Sequence, residues 1–240
     1  MKTYLIAGAS RGLGKFLAES YSRLDNKVIC ISKNKKITNK KSFNYKVDLS
    51  QYSKSIKFFR KLEKKFKKID YLISCVGKSN FKSREVNFKE WQEAFNDNLF
   101  SNVNLINSYI KIFKKKSANS KIILISSIAG SKIIDAPISY STSKAALNYY
   151  CKHQAKILSK SKIKINAISP GNILLEGNVW DKKIKKNKIG TLSYIKQNVP
   201  LNDFCKPEYI KGLCDYLLSS SGDFITGSNF TIDGGQVLNG

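Results

Sequence analysis

The sequence predicts a doubly wound α/β fold: one parallel sheet of about seven strands, with helices on both faces. Three observations predict it. Short, continuous apolar runs such as Ile122-Ile123-Leu124-Ile125 suit strands buried on both faces. These runs alternate with amphipathic stretches along the whole chain, and strand–helix alternation is the pattern of a parallel sheet built from crossovers. The first run leads directly into a glycine loop that opens a helix, Gly8-Ala9-Ser10-Arg11-Gly12-Leu13-Gly14.

Taken in order, strands are expected at Thr3–Ala7, Lys27–Ser32, Phe43–Val47, Tyr71–Val76, Lys121–Ser126, Lys164–Ile168 and Asn229–Ile232. The first helix carries Leu13, Phe16, Leu17, Tyr21 and Leu24 at helical spacing. Later helices are expected at roughly 52–67, 88–115, 140–159 and 207–220. Residues 172–204 break the rhythm. They are Lys-rich, with helix-like patches around Trp180 and Tyr194. An insertion after the sixth strand lies at the carboxyl edge of the sheet, where open α/β sheets bind ligands, so this segment is expected to be a mobile substrate lid. Asn172, Glu176, Trp180 and Tyr194 are its candidate contacts.

The chain has 240 residues, which suits a single domain, 1–240, with a large core. No apolar run is long enough to cross a bilayer. The N-terminal stretch Met1-Lys2-Thr3-Tyr4-Leu5-Ile6 loses its apolar character within a few residues and reads as a strand rather than a leader, which makes the cytoplasm the default compartment. The five cysteines include no C-x-x-C pair, and there is one histidine, His153. Neither a disulfide framework nor a metal site is expected.

The net charge is +26, from 43 basic and 17 acidic residues. Such a field attracts nucleic acid, anionic membranes or acidic small molecules. The lysines, however, are scattered, for example at 114–116 and 182–188, only four residues are Arg, and no aromatic RNA-binding signature accompanies them. Composition drift accounts for the excess, and nucleic-acid and membrane roles are disfavoured against a modest preference for anionic small molecules.

The glycine loop is the first chemical motif. Glycines let the backbone turn tightly and approach a pyrophosphate, which then rests on a helix N-terminus. Nucleotide sites selective for a free ribose 2′-hydroxyl put an acid at the end of the second strand. Here that strand ends Ile31-Ser32-Lys33, with a cation instead, and Arg11 lies in the loop. Both features favour a 2′-phosphate, hence NADPH over NADH. Asp48, closing the third strand, serves either the adenine amino group or the N-cap of the next helix.

The second motif is Ser139-Tyr140-Ser141-Thr142-Ser143-Lys144. A four-residue gap on a helix places Tyr140 and Lys144 on one face. A free tyrosine has a pKa near ~10, and a neighbouring ammonium is expected to lower it. A phenol tuned this way exchanges protons with a carbonyl or an alcohol near neutral pH.

Together these residues resemble the classical short-chain dehydrogenase/reductase family, a Rossmann-type fold. The resemblance covers essentially the whole chain, in the family's order: the glycine loop, Asp48-Leu49, the 74–77 turn, Asn98, Ser127, Tyr140 with Lys144, Pro170-Gly171, and Gly227 followed by Asp233-Gly234-Gly235. It implies Tyr140 as general acid/base, Lys144 on the nicotinamide ribose, Ser127 orienting the substrate carbonyl, and Asn98 holding a water that relays protons through Lys144. It implies a cofactor site formed by Gly8, Ser10, Arg11, Gly12, Leu13, Gly14, Ser32, Lys33, Asp48, Leu49, Cys75, Val76, Gly77, Tyr140, Lys144, Pro170, Gly171 and Ile173. The family's Asn-Asn-Ala-Gly turn is replaced by Ser74-Cys75-Val76-Gly77, and the Thr usual after Pro-Gly is missing from Asn172-Ile173-Leu174-Leu175-Glu176. Within the family the pattern is similar to 3-oxoacyl-(acyl carrier protein) reductases. The expected activity is NADPH-dependent reduction of a ketone to a secondary alcohol, on an anionic or carrier-bound substrate, with a keto-sugar or sugar-nucleotide of surface-glycan synthesis as the alternative. A non-catalytic cofactor-binding protein is the third reading, disfavoured because Tyr140 and Lys144 are both present. A homo-oligomer, tetramer or dimer, is expected through the helices at 88–115 and 140–159.

Overall fold

A computed structural model describes residues 1–33, 41–79 and 87–238. Seven parallel strands form one sheet in the order β3-β2-β1-β4-β5-β6-β7. They are β1 (Thr3–Ala7), β2 (Lys27–Ser32), β3 (Phe43–Lys46), β4 (Tyr71–Ser74), β5 (Lys121–Ile125), β6 (Lys164–Pro170) and β7 (Asn229–Ile232). The helices are α1 (Gly12–Ser22), α2 (Tyr52–Glu63), α3 (Phe88–Phe95), α4 (Ser101–Phe113), α5 (Ile138–Ser159), α6 (Val179–Lys186), α7 (Lys188–Asn198) and α8 (Pro207–Leu218).

Alternation along each strand divides the core in two. Leu5, Ile29, Leu72, Ile122, Leu124 and Ile165 face one side, where α2, α4 and α5 cover them with Phe58, Phe59, Tyr109, Phe113, Leu147 and Leu158. Ile6, Val28, Ile73, Ile123 and Ile168 face the other, covered by Leu13, Leu17 and Tyr21 of α1 and Ile210, Cys214 and Leu217 of α8. Every central strand is therefore apolar on both faces.

The helix expected over 88–115 is interrupted. Between α3 and α4 the chain widens into a π-turn at Asn96–Phe100. Such turns insert one residue into the hydrogen-bond ladder and commonly mark functional positions. β4 and β5 also end short of the expected boundaries, at Ser74 and Ile125, because the chain there turns into the cleft. β6 runs on to Pro170, whose missing N–H falls where the ladder ends. The strand order reverses at β1, between β2 and β4, and at that switch point the carboxyl ends of the strands open a crevice.

Candidate active site

A cleft of about 700 Å³ opens along the carboxyl edge of the sheet. The glycine loop forms one wall. Gly8 has φ +80, and a Cβ there would lie 2.7 Å from the carbonyl oxygen of Cys75. A Cβ on Gly14 would collide with the carbonyl of Gly8. The loop is therefore wound as tightly as glycine alone permits. A Cβ on Gly12, at φ +54, would meet nothing within 4 Å among the described residues, so there the backbone conformation is what favours glycine. Arg11 precedes α1 without a side-chain cap, so the first amides of the helix are left for an anion. These features fit a dinucleotide pyrophosphate. Ser10, Arg11, Leu13, Ser32, Lys33, Leu49, Cys75, Val76, Gly77, Pro170, Gly171 and Ile173 all line the same cleft. Asp48 stands behind the lining, accepting hydrogen bonds from the Ser50 N–H at 3.1 Å and the Ser50 hydroxyl at 2.7 Å. Burial pushes its carboxyl up, but those two bonds and Lys33 outweigh burial and hold it below the usual carboxylate range.

The other wall carries the candidate chemistry. Ser127, Tyr140 and Lys144 line it together. Ser127 follows β5 and starts a short 3₁₀ turn, its hydroxyl accepting the Ala129 N–H at 3.2 Å. Gly130 lets that turn lie flat on α5: a Cβ there would sit 2.6 Å from the backbone of Lys144. Asn148, one turn further along α5, donates to the carbonyl of Gly130 at 3.3 Å and to the Ser131 hydroxyl at 3.2 Å. The turn holding Ser127 is thus fastened to the helix holding Tyr140 and Lys144.

Lys144 is buried, and its ammonium donates to the carbonyl of Ile125 at 3.0 Å. No carboxylate pairs with it among the described residues. Burial pushes its pKa down to about 8. Its Nζ lies 5.9 Å from the centroid of the Tyr140 ring. The expected lowering of Tyr140 is not what the protein alone shows. Burial raises the phenol above its ordinary value, and the hydrogen bond with Ser127 pulls back only part of that rise. The ammonium is turned toward Ile125, so spacing on the helix brings the two groups near each other without aiming one at the other.

Asn98 sits in the π-turn, fully buried. Its Oδ1 accepts the Lys78 N–H at 2.8 Å and its Nδ2 donates to the Lys78 carbonyl at 3.1 Å. Gly77 lies between this amide and the ammonium: a Cβ there would be 2.8 Å from Asn98 Oδ1 and 3.2 Å from Lys144 Nζ. Both polar ends of the Asn98 side chain are engaged by the backbone of Lys78. Asn102, unforeseen from the sequence, completes the turn. It accepts the Ser74 hydroxyl at 2.6 Å and donates to the Asn98 carbonyl at 2.8 Å. Its position four residues after Asn98 was the available signal.

The segment expected to form a lid folds as α6 and α7. Glu176 lines the cleft, joined by Asn178, Val179 and Lys182, which the sequence did not single out. Trp180 and Tyr194 do not line it. They stack on each other at 5.4 Å and pack with Ile195, Val199 and Phe204 into a small core that holds the two helices together. In place of the expected substrate contact, the contacts found for the two rings are packing contacts between α6, α7 and Phe204. Asn172 is also buried outside the lining, its carbonyl accepting the Cys205 N–H at 2.9 Å.

Comparison with known proteins agrees with this architecture. A family model described as enoyl-(acyl carrier protein) reductase matches residues 8–236. The chain belongs to the short-chain dehydrogenase/reductase family, whose members act on CH–OH groups. It is 26% identical to an L-rhamnose 1-dehydrogenase (NADP(+)) of Thermoplasma acidophilum, covering 99% of this chain and 97% of that one. It is 27% identical to a 3-oxoacyl-(acyl carrier protein) reductase of Aquifex aeolicus, covering 98% and 97%. Among solved structures, a 4-hydroxyisoleucine dehydrogenase mutant complexed with NADH and succinate superposes with a TM-score of 0.89 at 28% identity, covering 99% of both chains. Relatives thus include proteins named for NADP and solved with NADH. No described helix is long and apolar enough to cross a membrane, and the described residues hold no cluster suited to a metal ion.

Proposed function

We propose that this protein reduces a ketone to a secondary alcohol with NADPH, Tyr140 acting as the general acid. The observation that carries the reading is the convergence of Ser127, Tyr140 and Lys144 on one wall of the cleft, opposite an uncapped, glycine-lined helix start. The bound dinucleotide supplies the hydride. Tyr140 gives its phenolic proton to the substrate oxygen, and the raised phenol keeps that proton in place at neutral pH. The Ser127 hydroxyl donates a second hydrogen bond to the same oxygen as negative charge develops there. Lys144 holds the nicotinamide ribose, and its buried ammonium steadies the phenolate that forms. Asn98 acts by position, fixing Gly77-Lys78 against Lys144.

Arg11 and Lys33 support NADPH as the preferred coenzyme, with NADH as the alternative. The basic chain suits an acyl substrate on an acidic carrier protein. A keto-sugar or sugar-nucleotide is the second reading, favoured by the polar lid wall of Glu176, Asn178 and Lys182. Residues 172–204 would act as the substrate lid of one 1–240 domain. Exposed Phe100 and Tyr149, on the π-turn before α4 and on α5, support a homo-oligomer, and the five free thiols suit the reducing cytoplasm. The test follows NADPH consumption against a panel of 3-oxoacyl thioesters, diketones and keto-sugars. Turnover of one class names the substrate. NADPH binding with no turnover of any carbonyl would contradict the reductase reading.

A further inference from the structure

We infer that Asp97 is a coenzyme specificity-determining residue, competing with a 2′-phosphate for the ammonium of Lys33. The inference rests on reading the cleft as a dinucleotide site. From the sequence, β2 ends on a cation with no acid, which favours a 2′-phosphate outright. Folding changes the balance by bringing two acids from elsewhere. Lys33 Nζ lies 3.5 Å from Asp48 Oδ1 and 3.6 Å from Asp97 Oδ1.

The two carboxylates differ. Asp48 is anchored by Ser50 and lies behind the cleft lining. Asp97 lines the cleft beside Lys33, and among the described residues Lys33 is its one polar side-chain partner. Both ion pairs are longer than the ~2.7–2.9 Å of a charge-assisted hydrogen bond. The Lys33 side chain is 46% exposed. A cation held this loosely can turn to a ligand. A ribose 2′-phosphate, with a charge of about −1.5 to −2, must draw Lys33 from Asp97 and sit near a carboxylate that repels it. A ribose 2′-hydroxyl meets no such opposition and can donate to Asp97. Asp97 therefore does part of the work of the acid missing from β2, from the π-turn that also carries Asn98.

The test uses calorimetric binding of two fragments without nicotinamide, adenosine 2′,5′-bisphosphate and 5′-AMP, to the full chain. Asp97→Asn should tighten the bisphosphate roughly three- to five-fold, the scale of a partly exposed ion pair, and leave 5′-AMP, which loses an acceptor for its 2′-hydroxyl, no tighter than before. Lys33→Met should weaken the bisphosphate about ten-fold, and the gain from Asp97→Asn should fall by at least half on that background. Asp97→Ala should repeat the Asp97→Asn result, which separates loss of the carboxylate from a local rearrangement. An unchanged ratio of the two fragments in both Asp97 variants overturns the inference. An equal gain with and without Lys33 overturns the competition. Failure of the wild-type chain to bind either fragment would overturn the dinucleotide reading itself.

Discussion

Two buried lysines stand at opposite ends of β5, and they are solved differently. Lys121 starts the strand. Its ammonium meets Asp223 at 2.9 Å and the carbonyl of Ser219, so its charge is matched where it is buried. Lys144 reaches the far end of the strand and, among the described residues, its ammonium finds the carbonyl of Ile125 and no carboxylate. Burying a charge without a counter-ion is expensive, and a fold selected for stability alone would supply a carboxylate or an apolar residue. The first lysine fastens the sheet to the turn after α8. The second is an unmatched cation held on the wall of a cleft, the kind of strain that accompanies functional sites.

Removing each charge should break the pair in opposite directions. Lys144→Met gives the largest effect: turnover should fall by about a thousand-fold, while the protein becomes more stable at pH 7 by on the order of 2 kcal/mol. The pH dependence has a definite sign. Lys144 has a folded-state pKa of about 8, below the 10.5 of an ordinary lysine, so between those values the folded chain binds fewer protons than the unfolded one. Its cost is full below pH 8 and fades as pH rises toward the unfolded value. The stability advantage of Lys144→Met, read by thermal melts, should shrink over that window. A variant less stable than wild type at pH 7 would contradict the comparison.

The next effect is kinetic. For carbonyl reduction, kcat/KM for the coenzyme should fall about ten-fold per pH unit above pH ~8, as Lys144 loses its proton. A flat profile to pH 10 would remove Lys144 from the chemistry. The smallest effect belongs to the other end of β5. Asp223→Asn should lower Tm by about 2–4 °C by leaving Lys121 unmatched, with turnover within about two-fold of wild type.

Much of this was legible in the sequence. β1, β2 and β7 fall on their expected boundaries because their apolar runs are bracketed by polar or glycine residues. The cleft residues from the glycine loop, the 74–77 turn and Pro170-Gly171 were legible because each ends a strand at one edge of the sheet. Three things were not. The π-turn at 96–100 keeps an apolar residue near every helical turn, at Trp91, Phe95 and Leu99, so periodicity runs through it unbroken. The Asp48–Lys33–Asp97 group joins three distant segments, and no local pattern encodes it. The roles of Trp180 and Tyr194 depend on which neighbour each ring finds, and that is decided by the docking of α6 against α7.

The most direct measurement is a pair of assays on Tyr140→Phe: coenzyme affinity by fluorescence titration, and single-turnover carbonyl reduction on the same preparation. The account predicts affinity within about three-fold of wild type and reduction slowed by at least a thousand-fold, because only the phenolic proton has been removed. Reduction at the wild-type rate would contradict it.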